Sequence, residues 1–189
     1  MCIRDRLCVV LVLGLPLFAK AEHHGEATQS SAIAQQIQEA IAPLPTSLQA
    51  GATVVLVPEP GKRTVLREGT NGMICHADIP APGFFVSCHP KVSDALNARF
   101  AELFAAGKSE GEMRDTLSAE VKEGKLQVEA GWAGYSLMGM FRKNAVSLSF
   151  VYVPNATTES TGLSTEVDHY RPWLMWAGTP LAHIMLPGE

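Results

Sequence analysis

Long apolar runs are missing from this chain. Its uncharged, mostly apolar stretch from Leu7 to Ala19 covers thirteen residues, against the roughly 20 that a bilayer-spanning helix needs. Basic clusters are missing too. With 15 Lys and Arg against 19 Asp and Glu the formal net charge is −4, and no polybasic stretch is present for nucleic acid or anionic lipid. No Gly-x-Ser-x-Gly turn exposes a serine nucleophile. Gly131-Trp132-Ala133-Gly134 lacks both the pattern of a phosphate loop and the helix that must follow it. Regular β-α-β alternation is absent, which argues against a doubly wound nucleotide-binding fold. Cysteine is scarce: four residues, of which only Cys75 and Cys88 lie beyond the first eight.

What is present begins with a secretory layout. Arg4 and Arg6 precede the apolar run, and Ala19-Lys20-Ala21 offers small residues at the positions a signal peptidase reads. The first six residues resemble translated sequencing-adapter read-through, in which case the charged region is partly missing, but the apolar run and the Ala-Lys-Ala site do not depend on them. Residues 1–21 are therefore expected to be a cleaved signal, 22–31 a mobile polar tail, and 32–189 a single domain. The mature chain would start at Glu22 and act in the periplasm or outside the cell. Loss of Arg4, Asp5, Arg6 and Lys20 leaves 12 basic and 18 acidic residues, a formal charge of −6. In an oxidising compartment the even pair Cys75 and Cys88 is expected to form a disulfide worth about 2–4 kcal/mol. Nucleophilic cysteine chemistry is then excluded.

Periodicity gives the coarse order of elements. Ile33, Ile37 and Ile41 recur every four residues, predicting a short helix capped by Ser30 or Ser31 and stopped by Pro43 and Pro45. Residues 52–57 and 64–67 predict strands joined by turn residues at 58–62. Asn71-Gly72 predicts a type I′ turn that would return 73–77 antiparallel to 64–68, and 84–88 a fourth strand, so that the first half forms an antiparallel meander. Val92, Leu96, Phe100, Leu103 and Phe104 lie at helical spacing up to Gly107. Ser109 and Glu112 have the spacing of a capping box ahead of Met113, Leu117 and Val121. Strands are predicted at 135–141, 146–153, 173–176 and 182–186, with a Thr- and Ser-rich loop at 155–165. Strands, then helices, then strands predict one α+β domain, mainly antiparallel, with two or three helices packed on one face.

Several residues invite chemistry. Cys75-His76 and Cys88-His89 suggest a Cys2His2 metal site, but neighbours on a strand point to opposite faces, so each Cys diverges from its own His. With the cysteines bridged across paired strands, His76 and His89 share the other face on a diagonal and are expected to face solvent. Asp168, His169, Arg171 and His183 are the candidate catalytic set, a hydrolase-like or other acid–base arrangement centred on His169 or His183, provided they converge in one cleft. Trp132, Tyr135, Trp173 and Trp176 are candidates to line a ligand pocket. Gly178-Thr179-Pro180 is expected to turn Trp176 back near Leu181, burying His183 with its imidazole hydrogen-bonded. Cleavage after Ala21 would expose Glu22-His23-His24, whose amine, amide and imidazole nitrogens suit square-planar Cu(II) or Ni(II).

Leu66-Arg67-Glu68-Gly69-Thr70-Asn71-Gly72 followed by Cys75, and the closing segment Trp173-Leu174-Met175-Trp176-Ala177-Gly178-Thr179-Pro180-Leu181-Ala182-His183-Ile184-Met185, resemble an uncharacterised family of secreted bacterial proteins. That family shares an L-R-x-G-T-N-G…C block and a W-x-M-W-x-G-T-P-x-A-H-x-M ending. The resemblance implies a compartment and a shared fold, and it transfers no activity or catalytic residue. The expected function is an exported, non-catalytic domain that binds a small molecule or a protein partner.

Overall fold

The computed structural model describes residues 23–79 and 83–188, with side chains from residue 29 onward. The expected signal, residues 1–21, lies outside the described residues, and so do the side chains of Glu22, His23 and His24. Helix α1 runs His23–Ile41. It starts upstream of the expected Ser30 or Ser31 cap, with no proline within His23–Ile41 to stop it. A short helix α2 (Thr46–Gln49) leads into strand β1 (Thr53–Glu59), which turns at Gly61 into β2 (Lys62–Arg67). Strands β3 (Met73–His76) and β4 (Phe84–Pro90) follow. A 3-10 turn at Lys91–Ser93 enters α3 (Asp94–Ala105), then α4 (Glu110–Lys122). The chain ends with β5 (Ala133–Gly139), β6 (Val146–Tyr152), the short α5 (Thr158–Thr161), β7 (Trp173–Met175) and β8 (His183–Pro187).

The eight strands form one sheet in the order β2-β1-β3-β4-β5-β6-β8-β7, antiparallel throughout except for the parallel pair β1–β3. The fold is α+β and mainly antiparallel. The helices divide between the two faces rather than sharing one. Helix α1 supplies Ile37, Ala40 and Ile41 to a core with Val54, Cys75, Cys88 and Tyr135. Helices α3 and α4 supply Leu96, Leu103, Met113 and Leu117 to a second core with Leu181, Tyr152 and Trp176. Only part of the predicted α3 stripe is buried. Leu96 and Leu103 face inward, while Val92, Phe100 and Phe104 remain exposed because α3 packs through one narrow flank. The capping box is present, with Ser109 N–H donating to Glu112 Oε2 at 2.9 Å. No helix among the described residues is long and apolar enough to cross a membrane.

The Asn71-Gly72 hairpin does not form. β3 pairs with β1, not β2, so the connection from β2 crosses the start of β1 and descends on its far side. Only Gly72 takes a positive φ, and Asn71 serves through its side chain instead. Asn71 Nδ2 donates to Leu48 O at 2.7 Å, and Asn71 Oδ1 accepts from Met73 N–H at 3.0 Å. Thr70 and Asn71 N–H both donate to Gly51 O, at 2.7 and 3.1 Å, and Gly69 N–H donates to Thr53 Oγ1 at 3.0 Å. Arg67 completes the crossing by donating to Gln49 O and Ala52 O. A side chain at Gly69 would overlap the Ala52–Thr53 backbone, which cannot yield without breaking β1. Gly69→Ala is therefore expected to destabilise by about 3 kcal/mol in urea unfolding, an overpacking cost against rigid backbone. Gly72→Ala, left-handed at φ 74° but in open space, should cost only about 1 kcal/mol. Equal losses at the two positions would refute this account of the crossing.

Candidate functional site

The register of β3 against β4 builds the site. Cys75 lies opposite Cys88, and their disulfide joins Cα atoms 4.0 Å apart. Because side chains alternate, the bridge occupies the α1 face and the flanking histidines turn to the other. His76 pairs with Ser87 and His89 with Ile74, a diagonal that brings the ring centroids to 5.1 Å. The expected solvent-facing pair is in fact covered. The 3-10 turn and the first residue of α3 fold over these strands, leaving His89 only 3 % exposed and delivering Asp94 to the histidines.

His89 Nε2–H donates to Asp94 Oδ1 at 3.1 Å, and Arg63, from β2 across the sheet, reaches Asp94 Oδ2 with Nη1 at 2.7 Å. One ligand-capable atom from each of His76, His89 and Asp94 lies within 4.8 Å of the other two. The Nε2 of His76 is buried and, among the described residues, has no hydrogen-bond partner. Burial holds His76 down to about 4, helped by the neighbouring His89 and Arg63. The hydrogen bond from His89, with Arg63 behind it, holds the Asp94 carboxyl down to about 2. At neutral pH the cluster therefore presents a neutral His76 imidazole beside the Asp94 carboxylate, which His89 and Arg63 hold by hydrogen bonds. Sequence reasoning found the diagonal of histidines but neither their burial nor Asp94 and Arg63, which come from a different element and a non-neighbouring strand. The one usable signal was the spacing of Asp94, five residues beyond His89 at a helix start.

The residues singled out from the sequence do not gather here. Asp168 is paired with Arg171 (2.8 Å) in an exposed loop, where N–H groups of Tyr170 and Arg171 also bind its carboxylate and lower its pKa. His169 is exposed in the same loop. His183 is elsewhere: buried, it donates from Nδ1 to Leu181 O at 2.8 Å and packs edge-on against Phe150, Tyr152 and Trp176. Leu181, His183 and Met185 are buried as expected, and Thr179 Oγ1 donates to Trp176 O at 2.8 Å to close the turn. Burial lowers the His183 pKa, opposed by its bond to Leu181. Burial also pushes the Tyr152 hydroxyl up to about 12.

The four aromatics do not line one pocket. Tyr135 packs on the disulfide core, Trp173 is buried beside Met185 in register, and Trp176 joins the α4 core and donates from Nε1 to Glu110 at 3.0 Å. Trp132 borders a shallow recess with His89, Asn97, Phe150 and Tyr152, about 150 Å3 including open solvent. Its enclosed volume is about 0 Å3, so it is no cavity for a small molecule. The chain matches no family model, no curated protein and no solved structure.

The buried imidazole dictates a pH response. A histidine whose folded pKa lies below its unfolded value binds fewer protons when folded, so stability holds above about pH 6.5 and is lost as pH falls toward 4. Chemical unfolding between pH 7 and 4 should show this loss, and His76→Leu should flatten that part of the curve. A variant with the same acid slope as the parent would show that His76 is not its source.

Proposed function

We propose that this is an exported small-ligand-binding protein whose ligand is a divalent transition-metal ion held by His76, His89 and Asp94. The observation that carries the reading is the buried, unpartnered Nε2 of His76 beside two other ligating groups. A buried polar atom without a partner costs about 1–3 kcal/mol, and an imidazole nitrogen with no donor or acceptor to meet is the natural ligand of a soft or borderline cation. The 3.1 Å between His89 Nε2 and Asp94 Oδ1 suits two ligands of one ion at about 2.0–2.1 Å. Two imidazoles and a single carboxylate favour Zn(II), Co(II), Ni(II) or Cu(II) over the all-oxygen shells of Ca(II) and Mg(II). Arg63 holds the outer carboxylate oxygen and leaves Oδ1 for the ion, the orienting role that a supporting hydrogen bond plays behind a metal ligand. The secretory layout of the first 21 residues and the Cys75–Cys88 bridge support export.

Calorimetric titration of the metal-free protein with Zn(II) or Co(II) tests the reading. Ligation through His89 Nε2 requires the tautomer with its proton on Nδ1 and replaces the hydrogen bond to Asp94 Oδ1. At an ion concentration about 100-fold above the dissociation constant the fold should gain about 2.7 kcal/mol. His76→Leu should lose the binding yet be more stable than the parent without metal, by about 1 kcal/mol, since it removes the unpartnered nitrogen. A parent protein that takes up neither ion, or a His76→Leu variant that binds as well as the parent, would end the proposal.

A further inference from the structure

The charge around this centre does not balance once an ion is in it. The charged groups that act on His76 are Arg63 and Asp94, beside His89, and those that act on Asp94 are Arg63 and His89. A divalent ion, the Arg63 cation and the single Asp94 carboxylate leave two positive charges in excess, in a chain whose formal net charge is −4. The imidazoles carry no negative charge to offset them. Three protein ligands also leave the coordination shell open, since Zn(II) takes at least four and keeps an exogenous ligand wherever the protein supplies three.

The opening lies on the Arg63 side. His89 is buried, whereas the side chains of Arg63 and Asp94 are 36 % and 32 % exposed. Among the described residues only Nη1 of the Arg63 guanidinium is engaged, so its other N–H groups are free to bind a planar or tetrahedral oxyanion arriving at the ion. The same guanidinium opposes a bare cation by repulsion. An anion that bridges ion and arginine relieves both, and linkage then requires that the anion tighten the metal as much as the metal tightens the anion.

Resting on the metal reading above, we propose that the loaded centre is a receptor for a small oxyanion, a carboxylate or a phosphate, bound to the open position of the ion and hydrogen-bonded by Arg63. The test uses Co(II), whose visible spectrum reports its ligands. The full-length mature protein at saturating Co(II) is titrated in chloride-free buffer with sodium acetate and, separately, with inorganic phosphate. A saturable spectral change with either anion is expected. The Co(II) dissociation constant should fall about ten-fold when that anion is present, within the usual range of coupling between sites. Arg63→Gln should weaken the anion by about ten-fold or more, and Arg63→Lys, which keeps the charge but not the fork, should fall between. Running each titration at saturating Co(II) keeps any change in metal affinity out of the comparison. A protein that binds Co(II) but shows no response to either anion overturns this proposal and leaves the metal reading standing. An Arg63→Gln variant that responds like the parent overturns the assignment to Arg63. Failure to bind Co(II) at all overturns both.

Discussion

The opposition of Cys75 and Cys88 is the constraint on which the rest of the molecule depends. Side chains on a strand repeat every two residues, so one fixed cross-strand pair assigns every neighbour to a face. The bridge lies under α1, with Val54 and Tyr135 beside it in adjacent strands. His76 and His89 are thereby committed to the α3 side, one diagonal apart. A slip of one residue would send both imidazoles under α1, into an apolar core with no carboxylate. A covalent tie closing a loop of this size contributes about 2–3 kcal/mol by restricting the unfolded chain. Its second effect, holding one register, matters more for the site than that stability does.

A second constraint feeds β3 into that register. The link from β2 is only five residues, Glu68 to Gly72, and it passes over the first residues of β1. Arg67, Gly69, Thr70 and Asn71 each bond or abut the Gln49–Thr53 backbone. The L-R-x-G-T-N-G block is thus read physically as a crossing clamp. Likewise the C-terminal block sets a turn around Thr179 and buries Leu181, Ala182 and His183. Both blocks lie where the backbone makes a tight crossing or turn.

This explains what could be read from the chain and what could not. Local rules succeeded where they faced no competition: the Ser109–Glu112 box, the turn around Gly61, the disulfide and the burial of His183 all depend on residues close in sequence or on an even cysteine count. Asn71-Gly72 misled because turn chemistry states how a chain can bend and not which strand lies beside it. β1 occupies the place where a β2–β3 hairpin would pair. The histidines were placed on the right face but not in the right medium, because alternation says nothing of what lands on that face. Their cover comes from Lys91–Ser93 and Asp94, and the fourth member of the cluster, Arg63, arrives from two strands away. The α3 stripe erred in the opposite sense: five apolar positions at helical spacing were assumed to share one burial, and the helix uses only Leu96 and Leu103 for its packing.

His183 and His76 make an informative contrast. His183 has the treatment expected of a structural residue. Its Nδ1–H meets a carbonyl at 2.8 Å and three aromatic rings fill the space around it. His76 is only half-buried as a residue, yet its Nε2 is buried and unanswered among the described residues, while an acid and a second imidazole stand within ligand range. Packing alone would favour leucine or phenylalanine at such a position, because an apolar side chain there avoids the desolvation cost. Arg63 sharpens the point. If the cluster were only a buried ion pair, His89, Asp94 and Arg63 would be complete without His76. On the metal reading proposed above, His76 adds cost to the metal-free fold and becomes an asset only when an ion shares its lone pair. On that reading the unpartnered nitrogen, braced by a disulfide one residue away, is stability given up for a site rather than kept in the core.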